Sequence, residues 1–99
     1  MTEPSREARL NRLSFRAWRR GFREADLILG PFSDLHARDL TEAQLDEFER
    51  ILQVPDQDLF GWIVGREPTP AEYQGEVMAM IQAFRETAHA ATPAEVRGS

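Results

Sequence analysis

The chain reads as an all-α protein, a small five-helix bundle forming a single domain. Apolar residues recur at helical spacing almost throughout, and the segments that show it are punctuated by glycine, proline and capping side chains. No stretch alternates polar and apolar residues as a half-buried strand would. With 99 residues, 41% of them apolar and 29% charged, there is material for one hydrophobic core and not for a second.

The first helix is expected over residues 6–20. Arginines at 6, 9, 12, 16, 19 and 20 fall on one side of its wheel, with Leu10, Ser14, Phe15, Ala17 and Trp18 on the other. Gly21 ends or bends it, and a second helix over 22–35 carries Leu27, Ile28, Phe32 and Leu35 as its apolar stripe. Gly30-Pro31 is expected to kink or nearly break that helix, because proline lacks a donor and crowds the preceding turn. Thr41-Glu-Ala-Gln44 has the pattern of a capping box opening a third helix, which reaches about Gln53 and buries Leu45, Phe48, Ile51 and Leu52. After the stop at Val54-Pro55, Asp56 is placed to cap a short fourth helix over 57–64 that presents Leu59, Phe60, Trp62 and Ile63, with Gly65 closing it. Thr69-Pro70-Ala71-Glu72 starts a fifth helix extending to Ala88, with Tyr73, Val77, Met80, Ile81 and Phe84 on its apolar side. The bundle therefore spans 6–88, between a flexible N-terminus at 1–5 and a flexible tail at 89–99, where Thr92-Pro-Ala-Glu95 repeats a start signal with no apolar stripe behind it.

Charge is distributed unevenly. Met1 to Arg23 holds seven arginines against Glu3 and Glu7, while Glu24 to Ser99 holds five arginines against fifteen acids. All twelve basic residues are arginine, a pattern that coding bias accounts for in the main. The basic first helix could bind RNA or an anionic surface through its phosphate-neutralising stripe. The acidic remainder opposes that, and a one-signed face more often complements the protein's own acidic helices. No nucleic acid is expected as a partner. The longest apolar stretch, Leu59 to Gly65, is far short of the ~20 residues of a membrane span, so no membrane insertion is expected either. Glu3 and Glu7 spoil the composition of a mitochondrial transit peptide, and the expected location is cytoplasmic.

The catalytic inventory is thin. The absence of cysteine excludes disulfides, thiolate zinc sites and cysteine nucleophiles, leaving His36 and His89 as the imidazoles. There is no phosphate loop, dinucleotide fingerprint or nucleophile elbow, and no histidine pair at ligand spacing. Asp56, Asp58, Gly61 and Glu67 reproduce four positions of an EF-hand loop, but Phe60 offers no oxygen where a ligand is needed, and the segment reads as a capped helix. No catalytic and no metal-binding residue is assigned.

The remaining constellation is the junction Arg19-Arg20-Gly21-Phe22-Arg23-Glu24-Ala25-Asp26. A glycine between two charged helices admits another backbone closely, and Arg20, Glu24 and Asp26 supply donors and acceptors around it. The plainer alternative is a helix junction in which Arg20 and Glu24 form an ordinary salt bridge. Arg20-Gly21-x-x-Glu24, with Trp18-Arg19 before it and Asp26-Leu-Ile-Leu29 and Phe32 after it, resembles the RGxxE motif of the succinate dehydrogenase assembly factor 2 family, the bacterial FAD assembly factor SdhE. Leu40 to Leu52 and Pro55-Asp56-Gln-Asp58-Leu59-Phe60-x-Trp62 with Gly65 are similar to that family's later helices in the same order. The resemblance spans about residues 10–85. It implies a monomeric, chaperone-like factor, not an enzyme, that binds the flavoprotein subunit of succinate dehydrogenase or fumarate reductase and promotes covalent attachment of FAD to it. It places the flavoprotein-binding surface at Arg19, Arg20, Gly21, Glu24 and Asp26, with FAD as the partner's cofactor and none held stably by this chain. The alternative is a regulatory binding protein, antitoxin-like or using the arginine-rich first helix.

Overall fold

Helix starts in this protein are set by groups that satisfy free amides. A computed structural model describes residues 5–21 and 23–91, with side chains as far as residue 87. The helices are α1 (Arg6–Ala17), α2 (Arg23–His36), α3 (Glu42–Ile51), α4 (Asp56–Val64) and α5 (Glu76–Ala91), with short 3-10 turns at Ala37–Asp39 and Ala71–Tyr73. Ser5, in the segment expected to be flexible, accepts from the amide of Ala8 at 3.0 Å and caps α1. The expected capping box opens α3: Gln44 N donates to Thr41 Oγ1 at 3.1 Å, and Thr41 N donates to Gln44 Oε1 at 2.9 Å. The expected tail at 89–99 is helical as far as Ala91, and the rest of it lies outside the described residues, as do 1–4.

Two starts differ from expectation, that of α5 because its partner is distant in sequence. Thr69-Pro70 does not begin the fifth helix. That segment makes only the 3-10 turn, and α5 starts where the Glu47 carboxylate on α3 accepts from the amides of Val77, at 2.9 Å, and Met78, at 3.3 Å. Asp56 is the first residue of α4 rather than its cap, and Pro55 occupies the capping position without a side-chain bond.

Helix ends follow local chemistry more closely. Gly65 closes α4 with φ +82°, as expected. The first helix stops at Ala17, three residues short of expectation, because Arg19 N turns to Arg16 O and Arg20 N leaves the helical ladder for the carboxylate of Asp26 at 2.6 Å. A single helix α2 runs through Pro31, so Gly30-Pro31 does not divide it. Gly30 instead gives the Trp18 indole room to lie on the α2 backbone: a Cβ there would sit 2.2 Å from the ring. Asp34 fixes that contact, accepting from Trp18 Nε1 and from Ser14 Oγ, both at 3.1 Å.

The core is formed by Leu13 and Ala17 of α1, Leu29 and Phe32 of α2, Leu45, Phe48 and Ile51 of α3, Leu59 of α4, and Val77, Met78 and Ile81 of α5. Phe32 packs edge-on against Phe48 and Phe84 at 5.5 and 5.8 Å between centroids. Four residues expected in the stripes of α1 and α2 are exposed: Phe15 (59%), Leu27 (53%), Leu35 (64%) and, although its indole lies on Gly30, Trp18 (37%). Both helices carry apolar residues on more than one side. The α1–α2 crossing and the approach of α5 to α2 select the sides holding Leu13, Ala25 and Leu29.

The aligned arginines divide into three groups. Arg6 pairs with Glu42, and Arg9 reaches Glu42 at 3.0 Å, Asp46, and Glu49 at 3.2 Å, so this end of α1 is bound to the acidic face of α3. Asp46 foremost holds the Arg9 guanidinium more firmly protonated. Arg20 turns inward, whereas Arg12 and Arg19 face outward and Arg16 is half-buried.

Candidate functional site

The α1–α2 junction is built around one buried guanidinium. Arg20 donates to the carbonyls of Leu52 and Val54, and its Nη2 lies 3.0 Å from Asp56 Oδ1. The Leu52 carbonyl sits at the C-terminal end of α3, where helix geometry leaves acceptors without partners, the Val54 carbonyl lies in the turn that follows, and Asp56 opens α4. The fork therefore pins the end of α1 to the turn between α3 and α4. Its side chain is 9% exposed. The local pair anticipated between Arg20 and Glu24 is replaced by this long-range one.

Gly21 follows with φ +111°, a region that L side chains rarely adopt. A Cβ at Gly21 would also lie 2.3 Å from Asp56 Oδ2. The close approach that the glycine permits is thus made by the chain's own aspartate, the same one that Arg20 holds. Asp26, half-buried, closes the turn by accepting from Arg20 N.

Glu24 is different. It stands exposed in the first turn of α2 and takes part in no ion pair among the described residues. With Gly21 it borders an open depression whose other wall is the start of α4 and the segment after it, including Asp56, Asp58, Arg66 and Glu67. Arg19 is also exposed, its guanidinium 3.9 Å above the centre of the Phe15 ring. Of the five residues assigned to the surface, Arg19, Gly21 and Glu24 are thus presented outward, while Arg20 and Asp26 hold the junction together.

Sequence reasoning missed the part of Asp56, which it read as a helix cap, and the arrival of Asp58, Arg66 and Glu67 at the same depression. The Pro-Asp-Gln-Asp segment held a signal in its two acids, but the partner of Asp56, Arg20, is more than thirty residues earlier in the chain. The depression is open and charged. Four carboxylates and one guanidinium line it, and Glu24, Asp26, Asp56 and Asp58 themselves occupy the positive first turns of α2 and α4. A pyrophosphate would meet like charge there. Among the described residues no group of three or more histidine and carboxylate side chains could hold a metal ion.

The junction and the helices behind it match a known pattern. A family model described as flavinator of succinate dehydrogenase covers residues 11–85. This chain belongs to that flavinator family. Among family members, the mitochondrial succinate dehydrogenase assembly factor 2 of Dictyostelium discoideum is 39% identical over 71 residues, 72% of this chain and 50% of its own length. The FAD assembly factor SdhE of Acetobacter pasteurianus is 40% identical over 72 residues, 73% of this chain and 66% of its own. The Danio rerio assembly factor 2 is 35% identical over 75 residues, 74% of this chain and 48% of its own. The chain thus spans about half to two thirds of the length of these flavinator relatives. The five-helix, strand-free architecture over the described residues agrees with the all-α bundle expected. None of those helices is long and apolar enough to cross a membrane.

Proposed function

We propose that this protein is an assembly factor that binds the flavoprotein subunit of succinate dehydrogenase, or of fumarate reductase, and promotes covalent attachment of FAD to a histidine of that subunit. The reading is supported above all by Glu24, exposed and in no ion pair among the described residues, at the edge of an open depression on a junction that Arg20 and Gly21 hold in one geometry. The names carried by relatives in the flavinator family point the same way.

The factor contributes orientation rather than bond making. The covalent step is chemistry of the flavin and the flavoprotein; a partner accelerates it by holding an otherwise mobile part of the flavoprotein in the reactive arrangement. A rigid junction suits this role, since an interface element that is already ordered loses less entropy on binding. In this proposal the factor acts as a cytoplasmic monomer, takes no catalytic part and keeps no FAD of its own.

Glu24→Gln tests the reading with little disturbance, because the side chain is exposed and the replacement keeps its shape. Covalent flavin on the flavoprotein, read as in-gel fluorescence, is expected to fall severalfold while helicity and thermal midpoint stay unchanged. Full flavinylation in cells lacking this chain would refute the proposal.

A further inference from the structure

Resting on that reading, we infer that the contact with the flavoprotein extends beyond the junction along the outer face of α1, where Arg12, Phe15, Arg16 and Arg19 dock an acidic, partly apolar face of that subunit. Positions 12, 15, 16 and 19 are three and four residues apart, so they follow one face of the helix and its continuation. Among the described residues Phe15 is the only phenylalanine of the large hydrophobic side chains that stand exposed, and the Arg19 guanidinium carbon lies over its ring, 3.9 Å from the centre. Arg19 thereby carries the patch along the chain to the exposed Gly21, two residues on. Arg12 and Arg16 form no ion pair among the described residues, in contrast to Arg6 and Arg9 on the same helix, which α3 neutralises. Aromatic rings and guanidinium groups left free in this way are the side chains that dominate protein interfaces.

The charge pattern selects the class of partner. RNA or an anionic bilayer presents one sign over a wide area. A surface of one sign that engaged Arg12, Arg16 and Arg19 and also the junction would meet Glu24 and the depression it shares with Asp56, Asp58 and Glu67. A folded protein can place carboxylates opposite the arginines and basic groups opposite the acids, which fixes orientation as well as affinity. The α1 patch therefore takes the acidic part of a two-signed protein surface.

The test is titration of the FAD-loaded succinate dehydrogenase flavoprotein subunit with the full chain, at low and at high salt. Arg12→Glu/Arg16→Glu should weaken binding by more than about tenfold and flatten its salt dependence, with the neutral Arg12→Gln/Arg16→Gln pair falling between. Phe15→Ser should weaken binding by about tenfold with the salt dependence retained. Thermal midpoints should stay at the parent value, which separates lost docking from lost folding. Parent-like binding by both the charge-reversed and the Phe15 variants, alongside weakened binding by Glu24→Gln, would confine the contact to the junction and overturn this inference while the proposed function stands. Failure of the parent chain to bind the flavoprotein would overturn both. Tighter binding to a single-stranded RNA or to phosphatidylglycerol vesicles than to the flavoprotein, abolished by charge reversal, would overturn the inference in favour of a polyanion site. A parent dimer in solution that Phe15→Ser dissociates would do so in favour of self-association.

Discussion

Two arginine–carboxylate constellations sit at opposite ends of the same helix. At the start of α1, Arg6 and Arg9 face Glu42, Asp46 and Glu49, whose side chains remain 33 to 71% exposed. Past its end, Arg20 is buried and shared between two backbone carbonyls and Asp56. The first set has more ion pairs and the second more consequence. Solvent and salt can replace an exposed pair, but they cannot reach the acceptors that Arg20 satisfies at the end of α3 and in the turn after it.

The contrast is broken most sharply at Arg20. Arg20→Ala should cost about 3 kcal/mol, lowering the thermal midpoint by roughly 15 °C, because it strands two carbonyls and a partly buried carboxylate. Arg20→Lys should recover little of that, since an ammonium cannot reproduce the fork. Calorimetry of both variants reads the difference. Gly21→Ala follows, at about 2 kcal/mol, because the φ of +111° disfavours any Cβ and the new atom would displace Asp56 from Arg20. Its measured stability should fall more than that of Glu24→Gln, although both residues border one depression. At the other end, Arg9→Ala should cost about 1 kcal/mol or less, and the loss should shrink as salt is raised in chemical denaturation.

The smallest effect is expected from Glu7 and Arg38, which pair at 3.0 Å on the surface. Hydrogen bonding to Arg38, reinforced by its charge, holds the Glu7 carboxyl below the usual carboxylate range. A carboxyl whose value is lowered by folding stabilises the protein above its unfolded value, and that contribution disappears as pH falls through the folded one. Glu7→Gln should therefore leave a slightly shallower acid limb in a plot of stability against pH, and parent-like stability at the acid end of that limb.

What was legible in the sequence was what neighbouring residues decide. The box at Thr41 and Gln44, the left-handed stop at Gly65 and the stripe Leu45, Phe48, Ile51 and Leu52 each depend on residues within a few turns, and each is found as expected. The faces of α1 and α2 were less legible. Phe15 is expected on the apolar side of α1, and the crossing with α2 buries Leu13, which is not among the expected residues, in its stead. At the candidate site the five junction residues were marked in advance, but their division into holders and presenters was not. Arg20 finds its acceptors at 52, 54 and 56, a separation that no local pattern encodes. The capping of α5 by Glu47 escaped for the same reason.

That last contact ties the ends of the molecule together. Glu47 holds the first amides of α5, and the carbonyl of Leu52, at the other end of α3, receives Arg20 from the junction. Helix α3 is thus a shared beam. Transient opening of α3 would release the start of α5 and the α1–α2 junction in one event, so amide hydrogens at Val77 and Met78 should exchange with solvent in step with those of the third helix.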